Sequence, residues 1–268
     1  MQLPASIIPG LTAISISGDD CSAFLDAQLS VNVSDLLVNQ QQVAAWCNAK
    51  GQTIMVCLVQ RLADNEYSLI CEHSLKAPVL KRLQLFVLRA KVYLGDQQAP
   101  VCWFPPKTLD QLQPWEGLKV TDQFTTTNQD TIEQWYNLLI QSGFTWLNAA
   151  TSQQFLPQML ALEKWQGLDY QKGCFPGQEV IARTHHLGRL KRHLWHVQLD
   201  AYVAPGNVVM QEQQTLGTIV ECFNLATSQQ NTAALAVLSN SVENLEKCYI
   251  NTLNKGSIQL IKKNKIKI

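Results

Sequence analysis

The hydrophobic pattern changes character once, near residue 190, and this change constrains the fold more than any other feature of the sequence. Before it, segments with helical spacing alternate with strands. After it come only short apolar stretches separated by turn residues, around 192–199, 216–223, 232–238 and near Cys248 and Ile258, a spacing that predicts a small barrel or sandwich. The chain is therefore expected to be α+β over 1–190, with helices packed on antiparallel sheets, and to end in a small β-barrel over 191–268.

Within the first region, 11–17 alternates like a strand, and Gly18-Asp19-Asp20 turns into a helix whose Cys21, Phe24, Leu25 and Leu29 form one stripe. Strands at 43–47 and 53–60, joined by Asn48-Ala49-Lys50-Gly51, read as a hairpin. A strand at 67–71, a helix capped by Ser74 and running to about Phe86, and a strand at 88–94 complete this unit. Residues 95–128 carry Pro100, Pro105, Pro106 and Pro114 and read as a proline-rich, shortened connection with one short strand. Asp130 and Glu133 resemble a capping box ahead of Ile132, Trp135, Tyr136 and Leu139, and a further helix is expected over 156–165.

Lys+Arg and Asp+Glu number 21 each, so no global field draws the chain to nucleic acid or an anionic membrane. Stable nucleic-acid binding is not expected. The start lacks a basic signal-peptide region and no apolar run reaches membrane-spanning length, which predicts a cytoplasmic protein. The eight cysteines contain no C-x-x-C pair, and nearly all read as buried apolar residues in a reducing compartment. Lys262, Lys263, Lys265 and Lys267 read as a solubilising tail.

The most informative stretch runs from Tyr170 through Lys172-Gly173-Cys174-Phe175-Pro176-Gly177-Gln178-Glu179 to Ala182-Arg183. Its glycines and proline mark a tight loop before a new helix. Cys174 lies just ahead of the helix start, where free amides and Lys172 favour a thiolate, so it is the best candidate for a functional thiol. On the residues alone, a structural cysteine is equally compatible with the pattern. Glu179 and Arg183 stand one turn apart, spaced either to contact a ligand or to pair with each other. The run Lys172, Arg183, His185, His186, Arg189, Lys191 and Arg192 suits an electropositive rim or a solvated face. His185-His186 lacks helical metal-ligand spacing, and no metal site is expected.

Lys172, Gly173, Cys174, Gly177, Gln178 and Glu179, followed by Ala182-Arg183 and Gly188, resemble the K-G-C-[FY]-x-G-Q-E signature of the YgfZ family. Weaker matches follow the same order: Gly18-Asp19-Asp20 with Phe24-Leu25, Cys47-Asn48-Ala49-Lys50-Gly51, and Phe155-Leu156-Pro157-Gln158. The resemblance implies folate-binding domains like those of the glycine-cleavage T-protein, followed by the barrel. It further implies a bound tetrahydrofolate or related folate and iron-sulfur client enzymes, including one that methylthiolates tRNA. It places Trp135 at a folate-contacting position, where the indole would wall a pterin, or else simply fills the core. Where the family has a second aromatic, this chain has Leu11. The alternative function is a tetrahydrofolate-dependent aminomethyltransferase or another one-carbon enzyme.

Overall fold

A computed structural model describes residues 4–106, 113–123, 126–223, 232–241, 248–252 and 256–265, with side chains given only as far as residue 250. The first strands are β1 (Ser6–Ile7), β2 (Leu11–Ser17), β3 (Gln41–Cys47), β4 (Thr53–Ala63), β5 (Glu66–Glu72) and β6 (Tyr93–Gln97). All but β1 build a five-stranded antiparallel sheet in the order β3-β4-β5-β2-β6. The first eight residues of β4 are all buried, which requires cover on both faces of the sheet. Helix α1 (Cys21–Gln28) buries Cys21, Phe24 and Leu25, as its apolar spacing predicts. Helix α2 (His73–Val87) buries Leu75, Val79 and Leu83. Its cap is Glu72, whose carboxylate accepts from the Ser74 backbone N–H, rather than Ser74 itself.

The proline-rich stretch is more ordered than expected. Strands β7 (Val101–Trp103) and β8 (Leu118–Val120) pair with each other, and β7 also takes β1, giving a three-stranded sheet. Three-residue strands are too short to leave a periodic signal. Helix α3 (Gln129–Ser142) is capped by Asn128, whose Oδ1 accepts from Thr131 N, and not by an Asp130/Glu133 box. The helix expected over 156–165 is instead two 3-10 turns, Pro157–Leu160 and Leu162–Trp165, separated by Ala161 at φ 56°. Helix α4 (Gln178–Leu187) follows the signature loop.

The remaining strands, β9 (Arg192–Leu199), β10 (Val208–Gln211), β11 (Gln214–Phe223), β12 (Thr232–Ser239), β13 (Cys248–Thr252) and β14 (Gly256–Lys265), form a closed barrel in the order β10-β11-β12-β9-β14-β13. Pairing of β10 with β13 closes it. Residues 262, 263 and 265 pair with β9 within this barrel and so are not a free tail; Lys267 lies outside the described residues. Strand β12 shows how the barrel is mounted. Ala234, Ala236 and Leu238 join the barrel's own core, while Leu235 and Val237 between them join the core of the α+β region. Period-two alternation thus buries both faces of one strand in two different cores.

Candidate functional site

The signature loop is held by its first residue. Lys172 reaches back to the chain leaving α1, and its Nζ donates to the carbonyl oxygens of Asp26, Leu29 and Val31, each at 2.7 Å. Carbonyls at a helix C-terminus lack intrahelical partners and carry partial negative charge, so an ammonium there satisfies both needs. Burial lowers the Lys172 pKa, opposed by the nearby carboxylates of Asp26 and Asp169. Two neighbouring contacts reinforce the anchor: Asp169 N donates to Ser30 O at 2.8 Å, and Ser30 Oγ donates to Gly167 O at 2.6 Å. The Lys172 ammonium is therefore committed to the fold and is not part of an electropositive rim.

The other end of the loop rests on the β3–β4 turn. Gly177 has φ 81° and Gly51 has φ 75°, conformations that side-chain-bearing residues avoid. A Cβ on Gly177 would lie 2.4 Å from Asn48 O and 2.7 Å from Gly51 N, so backbone meets backbone here with no room for a methyl group. Two glycine-containing motifs 126 positions apart in sequence, at 51 and 177, thereby become one structural unit. Gln158 Nε2 donates to Ile181 O at 2.7 Å and ties α4 to the first 3-10 turn. Gln178 Nε2 donates to Lys172 O at 3.2 Å and closes the loop on itself. Between these anchors Cys174 is exposed, whereas the seven other cysteines are buried.

The expected folate contacts fall into two groups. Glu179 and Arg183 line a cleft of about 430 Å³ along α4 with Val180, Thr184, Leu187 and Gly188. Among the described residues no ion pair joins Glu179 to Arg183, leaving both exposed side chains available to a ligand. Trp135 and Leu11 sit elsewhere. Leu11 begins β2 opposite Glu72, at the same end of the sheet as the β3–β4 turn. Trp135 is only 1% exposed, and neither residue lines the α4 cleft. Its buried indole N–H nevertheless finds no hydrogen-bond partner among the described residues. The fit to folate is thus partial: an aromatic wall with a spare donor is present, but a ligand reaches it only if its surroundings open.

A group beside Trp135 is one that the sequence alone does not single out. Tyr136 packs on the Trp135 ring at 5.2 Å, stacks on Phe223 of β11 at 4.1 Å, and donates its hydroxyl to Pro9 O at 3.1 Å. The Glu221 carboxyl, two residues before Phe223, is enclosed by protein although the residue retains some accessible surface. Burial pushes its pKa up to about 8, with Glu72 adding to the shift and the Cys222 backbone opposing it. A lone carboxylate in the apolar run of β11 was the available signal. Burial likewise pushes the Tyr136 hydroxyl up to about 12, with Glu221 and Glu72 contributing. No group of three or more His, Cys, Asp or Glu among the described residues is placed to hold a metal ion, and none of their helices is long and apolar enough to cross a membrane.

No family model matches the chain. It is 24% identical over 239 residues to the tRNA-modifying protein YgfZ of Vibrio vulnificus, covering 76% of this chain and 72% of that one. The YgfZ proteins of Klebsiella pneumoniae and Escherichia coli are 28% and 27% identical, covering 71% and 68% of this chain and 70% and 67% of theirs. Among solved structures, the glycine cleavage system aminomethyltransferase T of Bartonella henselae superposes with a TM-score of 0.65 at 12% identity, over 97% of this chain and 85% of that one. The α+β fold with a T-protein-like arrangement is thereby borne out, as is the resemblance carried by the signature.

Proposed function

We propose, from the premise that this chain is a relative of the YgfZ proteins with a T-protein-like fold, that it is a cytoplasmic folate-binding accessory protein for iron-sulfur enzymes, including one that methylthiolates tRNA. The observation that carries this reading is the signature loop. Close backbone contacts at Gly177 and a three-carbonyl lysine anchor hold it in place, and it presents one exposed thiol to solvent. Such an arrangement uses much of the fold to fix a single reactive group, which suits contact with a client protein.

In this reading tetrahydrofolate, when bound, supplies a one-carbon carrier with a planar pterin and an anionic tail. Trp135 walls the pterin and its indole N–H donates to it. Glu179 and Arg183, which line the separate α4 cleft, meet another part of the ligand, Glu179 accepting from an N–H group and Arg183 pairing with an anionic group, while Leu11 replaces an aromatic contact with an aliphatic one. Trp135→Ala is a poor probe, because truncating so deeply buried a tryptophan costs about 3–5 kcal/mol of stability. Trp135→Phe keeps an aromatic face, though a smaller one, and removes the N–H, and should weaken tetrahydrofolate binding by about 1 kcal/mol in calorimetric titration. Equal affinity in the folded variant would sink the assignment of Trp135.

Cys174→Ser is nearly isosteric at an exposed position, so stability and folate affinity should survive. Support of iron-sulfur enzymes should not, as measured by tRNA methylthiolation when the variant replaces the native gene. Full complementation at normal protein level would refute the functional thiol. The aminomethyltransferase alternative is separated from this reading by assaying the purified protein for folate-dependent one-carbon transfer.

A further inference from the structure

Another cleft, of about 510 Å³, opens where the segment before the signature loop meets the last turn of α4, and the function proposed above does not use it. One wall is aromatic. Tyr170 and His185 stack with centroids 3.9 Å apart and planes 25° apart, and His186 stands edge-on to His185 at 4.9 Å. Glu163 fixes both stacked rings through a single oxygen: Oε1 accepts from Tyr170 Oη at 2.6 Å and lies 3.0 Å from His185 Nδ1. His185 Nε2, the ring nitrogen not engaged by Glu163, is left for a further hydrogen bond. Burial and the Glu163 hydrogen bond both raise the Tyr170 pKa, so its hydroxyl stays a donor. Gln166, Gln171 and Asp169 complete the wall with amide and carboxylate groups.

A clamp serving only to join α4 to the body of the protein would be expected to bury its rings. Here the His185 side chain remains 42% accessible, and His186, Gln166 and Gln171 are exposed. The exposed Arg189 follows three residues after His186, so their Cα atoms lie within about 11 Å of one another. A fixed aromatic wall, polar groups around its edge and a cation one nucleotide's reach away match the chemistry of an unpaired nucleotide. The volume falls within the range of small-ligand sites.

We propose that this cleft binds a single nucleotide, its base against the Tyr170–His185–His186 wall and its phosphate near Arg189. The site stands independently of the folate reading and does not require the global positive field that the composition lacks. Recognition rests on stacking, and no Lys or Arg is among the described residues that line the cleft, so salt dependence should be shallow.

The test uses the full chain, with fluorescence anisotropy of a fluorescein-labelled six-residue oligoadenylate and competition by AMP. Saturable binding is expected, reduced about tenfold in His185→Gln, which removes the ring while retaining a donor toward Glu163. His186→Gln, at an exposed ring, gives a second reading should the first variant fold poorly. Competition by AMP identifies a free nucleotide as sufficient; binding of the oligomer without AMP competition identifies a nucleotide within a single strand. Three results would each overturn the proposal: no saturable binding of either probe, undiminished affinity in a folded variant, or displacement of the probe by tetrahydrofolate. The last would make the cleft a folate site, and separate calorimetry with Trp135→Phe keeps the two readings distinct.

Discussion

Replacing Lys172 with methionine should destabilise the protein by about 2–4 kcal/mol, because three backbone carbonyls lose a charged donor at once and the methionine chain offers none. The effect should appear as a lower urea midpoint with an unchanged slope, since the surface exposed on unfolding is the same. Lys172→Arg should recover part of the loss, as a guanidinium can still donate but does not match a three-carbonyl cage built around one nitrogen. A stability equal to wild type in Lys172→Met would return this lysine to the role of a ligand contact.

Glu221 should make stability fall as the solution is taken from about pH 5 to pH 9, against the opposite slope of His196, whose burial lowers its pKa. The folded pKa of Glu221, about 8, lies well above the ordinary carboxylate value, so the folded state holds a proton that the unfolded state has released. The contribution is complete below the unfolded pKa and is lost as pH rises through the folded one. Each unit of separation is worth about 1.4 kcal/mol, and after local relaxation a total of roughly 2–4 kcal/mol is expected. The partners around Glu221 leave this window largely to it, because Cys222 is pushed up to about 11 and Tyr136 to about 12. Glu221→Gln should match wild type near pH 5 and exceed it by about 2 kcal/mol at pH 9. Parallel melting curves for the two proteins across that range would exclude Glu221 as the source.

Sequence alone reached different depths in different places. Periodicity located α1, the β3–β4 hairpin, α3 and most of the barrel, because their apolar residues recur at one spacing for two turns or five strand positions. It failed at β7 and β8, where three residues per strand give no period, and at 157–165, where Ala161 at φ 56° breaks what composition reads as a helix. The motifs at 48–51, 155–158 and 172–179 were each visible, and the structure brings all three together. Their individual functions were less legible. Lys172 has the same letter whether it meets a ligand or three carbonyls 141 to 146 positions away, and only the tertiary fold distinguishes the two. The Tyr170–Glu163–His185 cluster was hidden for the same reason: an adjacent histidine pair suggests a poor metal site until Glu163 is seen beneath it.

The distribution of the cysteines also equips the native protein for labelling at a single point. Seven thiols are shielded and one stands in solvent on a loop pinned at both ends. A maleimide dye or nitroxide added to the folded chain would attach at 174 with no engineered substitution, and the pinned backbone would keep the reporter's position narrow. Docking of any partner against α4 could then be followed as quenching or line broadening at a known point. Slow labelling beyond one equivalent would, in turn, clock the opening of the buried cores.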